Sequence, residues 1–131
     1  MRLCLALRPL PLLSRLRWED ERAVDVTNEQ LAQRQNLFRN ANERIEHAAA
    51  AVGHTGPRPF ICECSLDGCV ENVAVDGATY DEVRGHGARF VTLPGHEIAA
   101  IEVIVERNEI YQVVEKTDLF AEIAVSGNPR Q

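Results

Sequence analysis

A chain of 131 residues is long enough to bury one hydrophobic core without disulfides, and its 45% hydrophobic and 26% charged residues are typical of a globular protein rather than a disordered one. The net charge is −6; residues 27–131 alone carry 9 Lys and Arg against 16 Asp and Glu, a net −7, and the cations are scattered singly. Such a surface repels phosphate backbones at long range, so composition argues against a nucleic-acid-binding protein.

The first 26 residues differ in composition from the rest, because leucines there are interrupted by arginines and prolines. Arg8 breaks the apolar run that a signal peptide needs, and no run approaches the roughly 18 apolar residues of a membrane span. One interpretation is a basic tail that packs on a partner or a membrane surface through Trp18 and the leucines. The other, which we adopt, is that residues 1–26 are a disordered or mis-annotated leader of a cytoplasmic protein that binds no membrane.

Capping signals place the start of a long helix at Thr27. Thr27 and Gln30 have the spacing of a capping box, while Val26 and Leu31 have that of a hydrophobic staple. Gly53 can end the helix in a left-handed turn. Apolar residues recur between these limits at helical spacing and predict one stripe that faces the core. This stripe comprises Leu31, Phe38, Ala41, Ile45, Ala48 or Ala49 and Val52.

Short runs rich in Val and Ile follow the helix, separated by Gly, Pro and Asn turn residues. The predicted strands are 60–64, 70–75, 89–93, 101–106 and 109–115, and a short helix is predicted at 76–84. No crossover is long enough to require several parallel strands, so we expect an α+β fold. In it, the long N-terminal helix and the short second helix pack on a small, mainly antiparallel sheet of about five strands.

The domain boundaries follow from these elements. We assign residues 27–116 to a single α+β domain. We predict that residues 117–131 are a loose C-terminal tail, in which Leu119, Phe120 and Ile123 can form one helical turn that docks on the domain.

Three of the four cysteines fall in one short stretch, as Cys62-x-Cys64-x4-Cys69. On a strand, Cys62 and Cys64 point to the same face, and a tight turn at Asp67-Gly68 can return Cys69 beside them. Three thiolates would then converge on one point, which is the arrangement that a zinc ion requires.

The fourth zinc ligand is expected to be a histidine, because zinc takes four ligands in a tetrahedron and Cys₃His is a common structural set. His96 is preferred, since the turn Pro94-Gly95 at a strand end can hold it rigidly. His86, between two glycines, is the alternative. The sequence therefore predicts a structural zinc site, and His96 would leave the metal no open position for water.

Other interpretations of the cysteine cluster stay open. The thiols can be buried small hydrophobes, or they can form a redox site. A disulfide framework is disfavoured because the clustered thiols are odd in number and intracellular thiols stay reduced. Glu63 and Asp67 place negative charge beside the sulfurs, which disfavours thiolates unless a cation is bound. Without His96 as a ligand, a catalytic Cys₃-water site would be possible.

The chain resembles an uncharacterised family of small actinobacterial proteins over residues 28–116. The motifs that carry the likeness are Asn36-Leu37-Phe38-Arg39, Asn42-Glu43-Arg44-Ile45, Phe60-x-Cys62-Glu63-Cys64-x4-Cys69, Tyr80-x-x-Val83-Arg84, Arg89-Phe90-x-x-x-Pro94-Gly95-His96-Glu97 and Tyr111-x-Val113-Val114-Glu115-Lys116. The resemblance implies no activity. The start of the short second helix, Asp76-Gly77-Ala78-Thr79, departs from the better helix-forming start that is usual in the family.

Two functions fit these features. The preferred one is a small zinc-stabilised module, not an enzyme, that binds another protein through the helix or the hairpin edge and takes part in regulation. The alternative is a thiol-based redox sensor or small enzyme that uses one thiolate as a nucleophile, with Glu97 or Glu63 available for proton transfer. Metal content separates the two functions.

Overall fold

A computed structural model describes residues 9–130 of the chain, with side chains described from Asn28 onward. The chain divides into two units, Met1–Gln30 and Leu31–Gln131. The described elements are, in chain order, α1 (Pro9–Ala51), β1 (Pro57–Ile61), β2 (Asn72–Asp76), α2 (Gly77–Arg84), β3 (Arg89–Thr92), β4 (Glu102–Arg107), β5 (Gln112–Lys116) and α3 (Asp118–Ser126).

The prediction of an α+β fold with antiparallel strands is confirmed, but the strands form two sheets instead of one. β1 and β2 form an antiparallel pair, and the second sheet has the antiparallel order β3-β5-β4. β1 ends at Ile61 and forms no ladder with β3. Beyond that point Glu63 N donates to Val91 O at 2.9 Å, which joins the hairpin to β3 without a continuous ladder.

The hydrophobic core lies between the β1–β2 hairpin, α2 and the three-stranded sheet. Its buried members are Phe60, Val73, Val75, Tyr80, Val83, Val91 and Val113. The rings of Phe60 and Tyr80 stack with centroids 4.2 Å apart. Asp76 caps α2 by accepting a hydrogen bond from Thr79 N at 2.8 Å, so α2 starts where the sequence predicts.

Helix α1 begins at Pro9 rather than at the capping signal of Thr27. Residues 9–26 contain no glycine, and both of their prolines, Pro9 and Pro11, lie in the first turn. A proline is tolerated there because its missing N–H would have no helical partner. Of the predicted leader, residues 9–26 thus belong to α1, and residues 1–8 lie outside the described part of the chain.

The buried face of α1 is polar and does not coincide with the predicted apolar stripe. It consists of Ala32, Gln35, Arg39, Asn42 and Glu46. Leu31, Phe38 and Ile45 of the predicted stripe are only half-buried, and Val52 is 80% exposed. The predicted stripe is therefore wrong in its angular position, because hydrogen bonds to buried partners set the rotation of this helix and periodicity alone does not detect them.

Arg39 shows how a charged residue of α1 is buried. Its guanidinium donates to Gly87 O at 2.7 Å and to Ala124 O at 2.6 Å, and its Cζ lies 4.6 Å from the centroid of the Phe90 ring. Burial, with Arg84 close by, lowers the pKa of Arg39 to about 10. The side chain thereby ties α1 to α3 and to the loop that precedes β3.

The segment predicted as a loose tail contains helix α3. Ala124, only 1% exposed, packs with Phe90 and Val114, and its small side chain permits a close approach to the sheet. Beyond the helix, Arg130 pairs with Glu43 of α1 at 2.6 Å. The structure thus extends the single predicted helical turn to the full range Asp118–Ser126.

Replacing Arg39 by Met should destabilise the fold while conserving much of the side-chain volume. The carbonyls of Gly87 and Ala124 would lose a donor inside the protein, and each unpaired buried carbonyl costs about 1–3 kcal/mol. We expect the free energy of unfolding, measured with urea, to fall by about 2–5 kcal/mol. Arg44→Met, at an exposed position of the same helix, is the control and should leave it nearly unchanged. Equal stability of the two variants would contradict this account of Arg39.

Candidate metal centre

Cys62 and Cys64 follow β1 directly, and both side chains are fully buried. Cys62 N donates to Glu71 O at 2.9 Å, which continues the hairpin pairing past the end of the strand. A turn then returns the chain, since Gly68 has φ +75° and Cys69 N donates to Leu66 O at 3.1 Å. A side chain at Gly68 would strain this turn. The alternation of the strand and the following turn thus bring three sulfurs to one side.

His96 approaches the sulfurs from the connection between β3 and β4. Its backbone N donates to Leu93 O at 3.1 Å, which closes the turn around Gly95, where φ is +85°. The ligand atoms of Cys62, Cys64, Cys69 and His96 all lie within 4.8 Å of one another. The structure therefore brings together the four residues that the sequence singled out, and this Cys₃His cluster can hold a metal ion.

One nitrogen of the His96 ring faces the sulfurs. His96 Nδ1 lies 3.6 Å from Cys62 Sγ and 3.6 Å from Cys69 Sγ. Tetrahedral zinc, with bonds of about 2.3 Å to sulfur and about 2.0–2.1 Å to nitrogen, places these ligand atoms about 3.6 Å apart. These two separations match that geometry, and Nδ1 is the nitrogen of His96 that a metal ion in the cluster would meet.

His86, the alternative fourth ligand, lies elsewhere. It lines a separate cavity of about 190 Å³ together with Arg89 and Glu106. The cluster with ligand geometry contains His96 and does not contain His86.

Glu63 anchors the loop that carries the first two sulfurs. Because neighbours on an extended chain point to opposite faces, its side chain lies away from the thiols and is fully buried. Oε2 accepts hydrogen bonds from Asn42 Nδ2 at 2.9 Å and from Tyr80 OH at 2.8 Å, while Oε1 accepts from Val91 N at 2.9 Å. Burial raises the pKa of Glu63, and these donors oppose the rise.

From the sequence alone, Glu63 is a negative charge beside the sulfurs and a candidate proton-transfer group. Its hydrogen bonds instead make it a structural anchor between β1, α1, α2 and β3. The Cys-Glu-Cys alternation could have indicated this role, because it places the carboxylate on the face opposite the sulfurs.

The turn that carries His96 is held by an amide of β5. Gln112 Oε1 accepts from Gly95 N at 3.3 Å, and Gln112 Nε2 donates to the Glu97 carboxylate at 2.9 Å. This hydrogen bond lowers the pKa of Glu97. Glu97 thus serves the same turn, and its hydrogen-bonding partner is an amide rather than a thiol.

The three thiols have unequal acidities because they lie close together. The interaction between the Cys62 and Cys64 side chains raises the pKa of Cys62 and lowers that of Cys64. Burial raises the pKa of Cys69. Leu93 N donates to Cys62 Sγ at 3.2 Å. A metal ion that binds all three sulfurs as thiolates must therefore displace protons, so binding depends on pH.

The chain has no significant match among protein-family models, curated proteins or solved structures. The resemblance to an actinobacterial family remains a prediction for this reason. Within residues 9–130, no helix combines the length and the apolar character that crossing a bilayer requires. The site itself is therefore the basis for assigning a function.

Replacing Glu63 by Gln should destabilise the protein although size and shape are conserved. The new NH₂ group is a donor, and in either orientation it faces another donor, Val91 N or Asn42 Nδ2. Asn42 cannot turn its amide round without loss, because its Oδ1 accepts from Ile61 N at 2.8 Å. We expect the free energy of unfolding, measured in EDTA so that metal makes no contribution, to fall by about 2 kcal/mol or more. Glu109→Gln, at an exposed position, is the control. Unchanged stability of Glu63→Gln would show that Glu63 is not an anchor.

Proposed function

We propose that this chain is a small zinc-stabilised module that binds another protein. One observation carries the proposal: three sulfurs and one imidazole nitrogen, from two separate connections, lie within 4.8 Å of one another. Thiolate and imidazole are ligands that zinc prefers, and a closed set of four is typical of structural rather than catalytic zinc.

Zinc would supply a link that the hydrogen bonds between these loops provide only in part. Cys62, Cys64 and Cys69 belong to the β1–β2 connection, whereas His96 belongs to the β3–β4 connection. Binding one ion by both connections joins the two sheets near the end of each, so the free energy of metal binding stabilises the fold. All three cysteines of the cluster are free thiols, which fits our proposal of a cytoplasmic protein.

An exposed sheet edge supports the binding part of the proposal. β4 lies at one edge of its sheet, and among the described residues β5 is the strand that pairs with it. The other edge strand, β3, accepts a backbone hydrogen bond from Glu63. Val103, Ile104 and Val105 of β4 are 38–49% exposed. An edge strand with unpaired backbone groups and exposed apolar side chains can accept an extended segment of a partner as an additional strand.

The acidic surface supports the choice of a protein over a nucleic acid as the partner, since a net charge of −6 gives counterion release little to act on. The competing function is a thiol-based redox sensor. It requires at least one thiol that reacts without metal, whereas the proposed module requires all three to be held by the metal.

Metal content separates these functions. Protein purified under reducing conditions with zinc supplied should contain one zinc ion per chain and should melt at a lower temperature after treatment with a chelator. Cys64→Ser should lose the metal and several kcal/mol of stability. The free energy of zinc binding reaches on the order of 10 kcal/mol in zinc-finger peptides. His96→Ala should lose less, because water can occupy the position of the imidazole.

Cys4→Ser is the matched control, because Cys4 lies outside the described residues and far from the cluster in sequence. It should retain zinc at the level of the unmodified protein. Metal-free wild-type protein, or a melting temperature that the chelator does not change, would refute the zinc module. A fast-reacting thiol in such metal-free protein would favour the redox sensor.

A further inference from the structure

The ring of His96 has its two nitrogens in different surroundings. Nδ1 faces Cys62 Sγ and Cys69 Sγ, each at 3.6 Å, while Nε2 faces Glu71 Oε2 at 4.0 Å. The ring thus lies between the sulfurs of the cluster and one carboxylate.

This arrangement matters because a neutral imidazole carries a single N–H. A metal binds the nitrogen that lacks the proton, so coordination through Nδ1 requires the proton on Nε2. Histidine ligands usually donate that second N–H to a carboxylate, a carbonyl or water, which fixes the tautomer and the ring orientation. Glu71 offers the carboxylate on the side where Nε2 lies.

We propose that Glu71 is a positioning residue of the metal centre, which accepts the Nε2–H of His96 and so holds Nδ1 toward the metal. This inference rests on the proposed zinc site. Glu71 is fixed to the same loop by its backbone, because its carbonyl accepts from Cys62 N at 2.9 Å. The side chain is 66% exposed and therefore has room to rotate and shorten the 4.0 Å separation to hydrogen-bond distance.

Charge alone does not account for such a role. Three thiolates and one Zn²⁺ give the centre a net negative charge, which repels a carboxylate at long range. The favourable contribution is the hydrogen bond to the N–H that the metal polarises. An uncharged acceptor should therefore replace the carboxylate in part, which distinguishes a hydrogen bond from a general electrostatic effect.

The test compares Glu71→Ala and Glu71→Gln with wild type in zinc affinity, measured by competition with a chromophoric chelator. Glu71→Ala should bind zinc about 10–100-fold more weakly, as is usual when such an outer hydrogen bond is removed. Glu71→Gln should recover part of this loss. Glu109→Ala, at an exposed acidic position in the β4–β5 connection, is the control and should bind zinc as wild type does.

Nitrogen NMR of His96 in the zinc-loaded protein provides the readout that a merely structural role would not change. Wild type should show zinc on Nδ1 and a proton on Nε2 that exchanges slowly with water, and in Glu71→Ala that proton should exchange faster. In the His96→Ala background, Glu71→Ala should have no further effect on affinity. Zinc bound through Nε2, or equal affinities of Glu71→Ala and wild type, would overturn this inference and leave the zinc site standing; wild type that binds no zinc would overturn both.

Discussion

The buried carboxylate of Glu63 is the constraint on which the rest of the structure depends. It lies between two cysteines in sequence, so the alternation that places both buried sulfurs on one face of the chain places this side chain on the opposite face. A carboxylate can be buried only where donors surround it, and here they come from Asn42, Tyr80 and the backbone of Val91. Three elements that are distant in sequence therefore converge on the residue between two of the candidate ligands.

The requirement that buried polar groups have hydrogen-bond partners also explains the polar buried face of α1. Gln35 donates to Glu63 O and accepts from Lys116, which also pairs with Glu102, and all four residues are buried. Desolvation offsets much of the attraction in such pairs, so their net contribution to stability is small. Removing one partner nevertheless leaves the other buried and unpaired, so a rotation of the helix that separates the partners is unfavourable. These contacts determine the rotation of the helix, and they leave its apolar stripe half-buried.

The candidate metal centre and the exposed edge strand belong to different parts of this framework. The centre lies between the β1–β2 and β3–β4 connections, and the hydrogen bonds of Glu63 and Gln112 hold each connection in place. β4 lies at the other edge of its sheet from β3, and none of the four candidate ligands belongs to it. Stabilisation by a metal and recognition of a partner can therefore coexist in a small chain.

The sequence alone determined the fold class, the approximate strands and the three cysteines that cluster, with His96 preferred to His86 as their partner, because these follow from alternation, turn residues and local spacing. The capping signal at Thr27 gave the wrong start for α1, because capping residues do not interrupt a helix when no glycine or proline lies between Pro11 and Thr27. Only the tertiary structure decided which face of α1 is buried, how the strands divide into two sheets, and that His96 rather than His86 meets the sulfurs. These outcomes depend on pairing between residues far apart in sequence, such as Asn42 with Glu63 and Gly95 with Gln112. Hydrophobic periodicity predicts which residues avoid water, but it does not predict which buried polar groups form hydrogen bonds with each other.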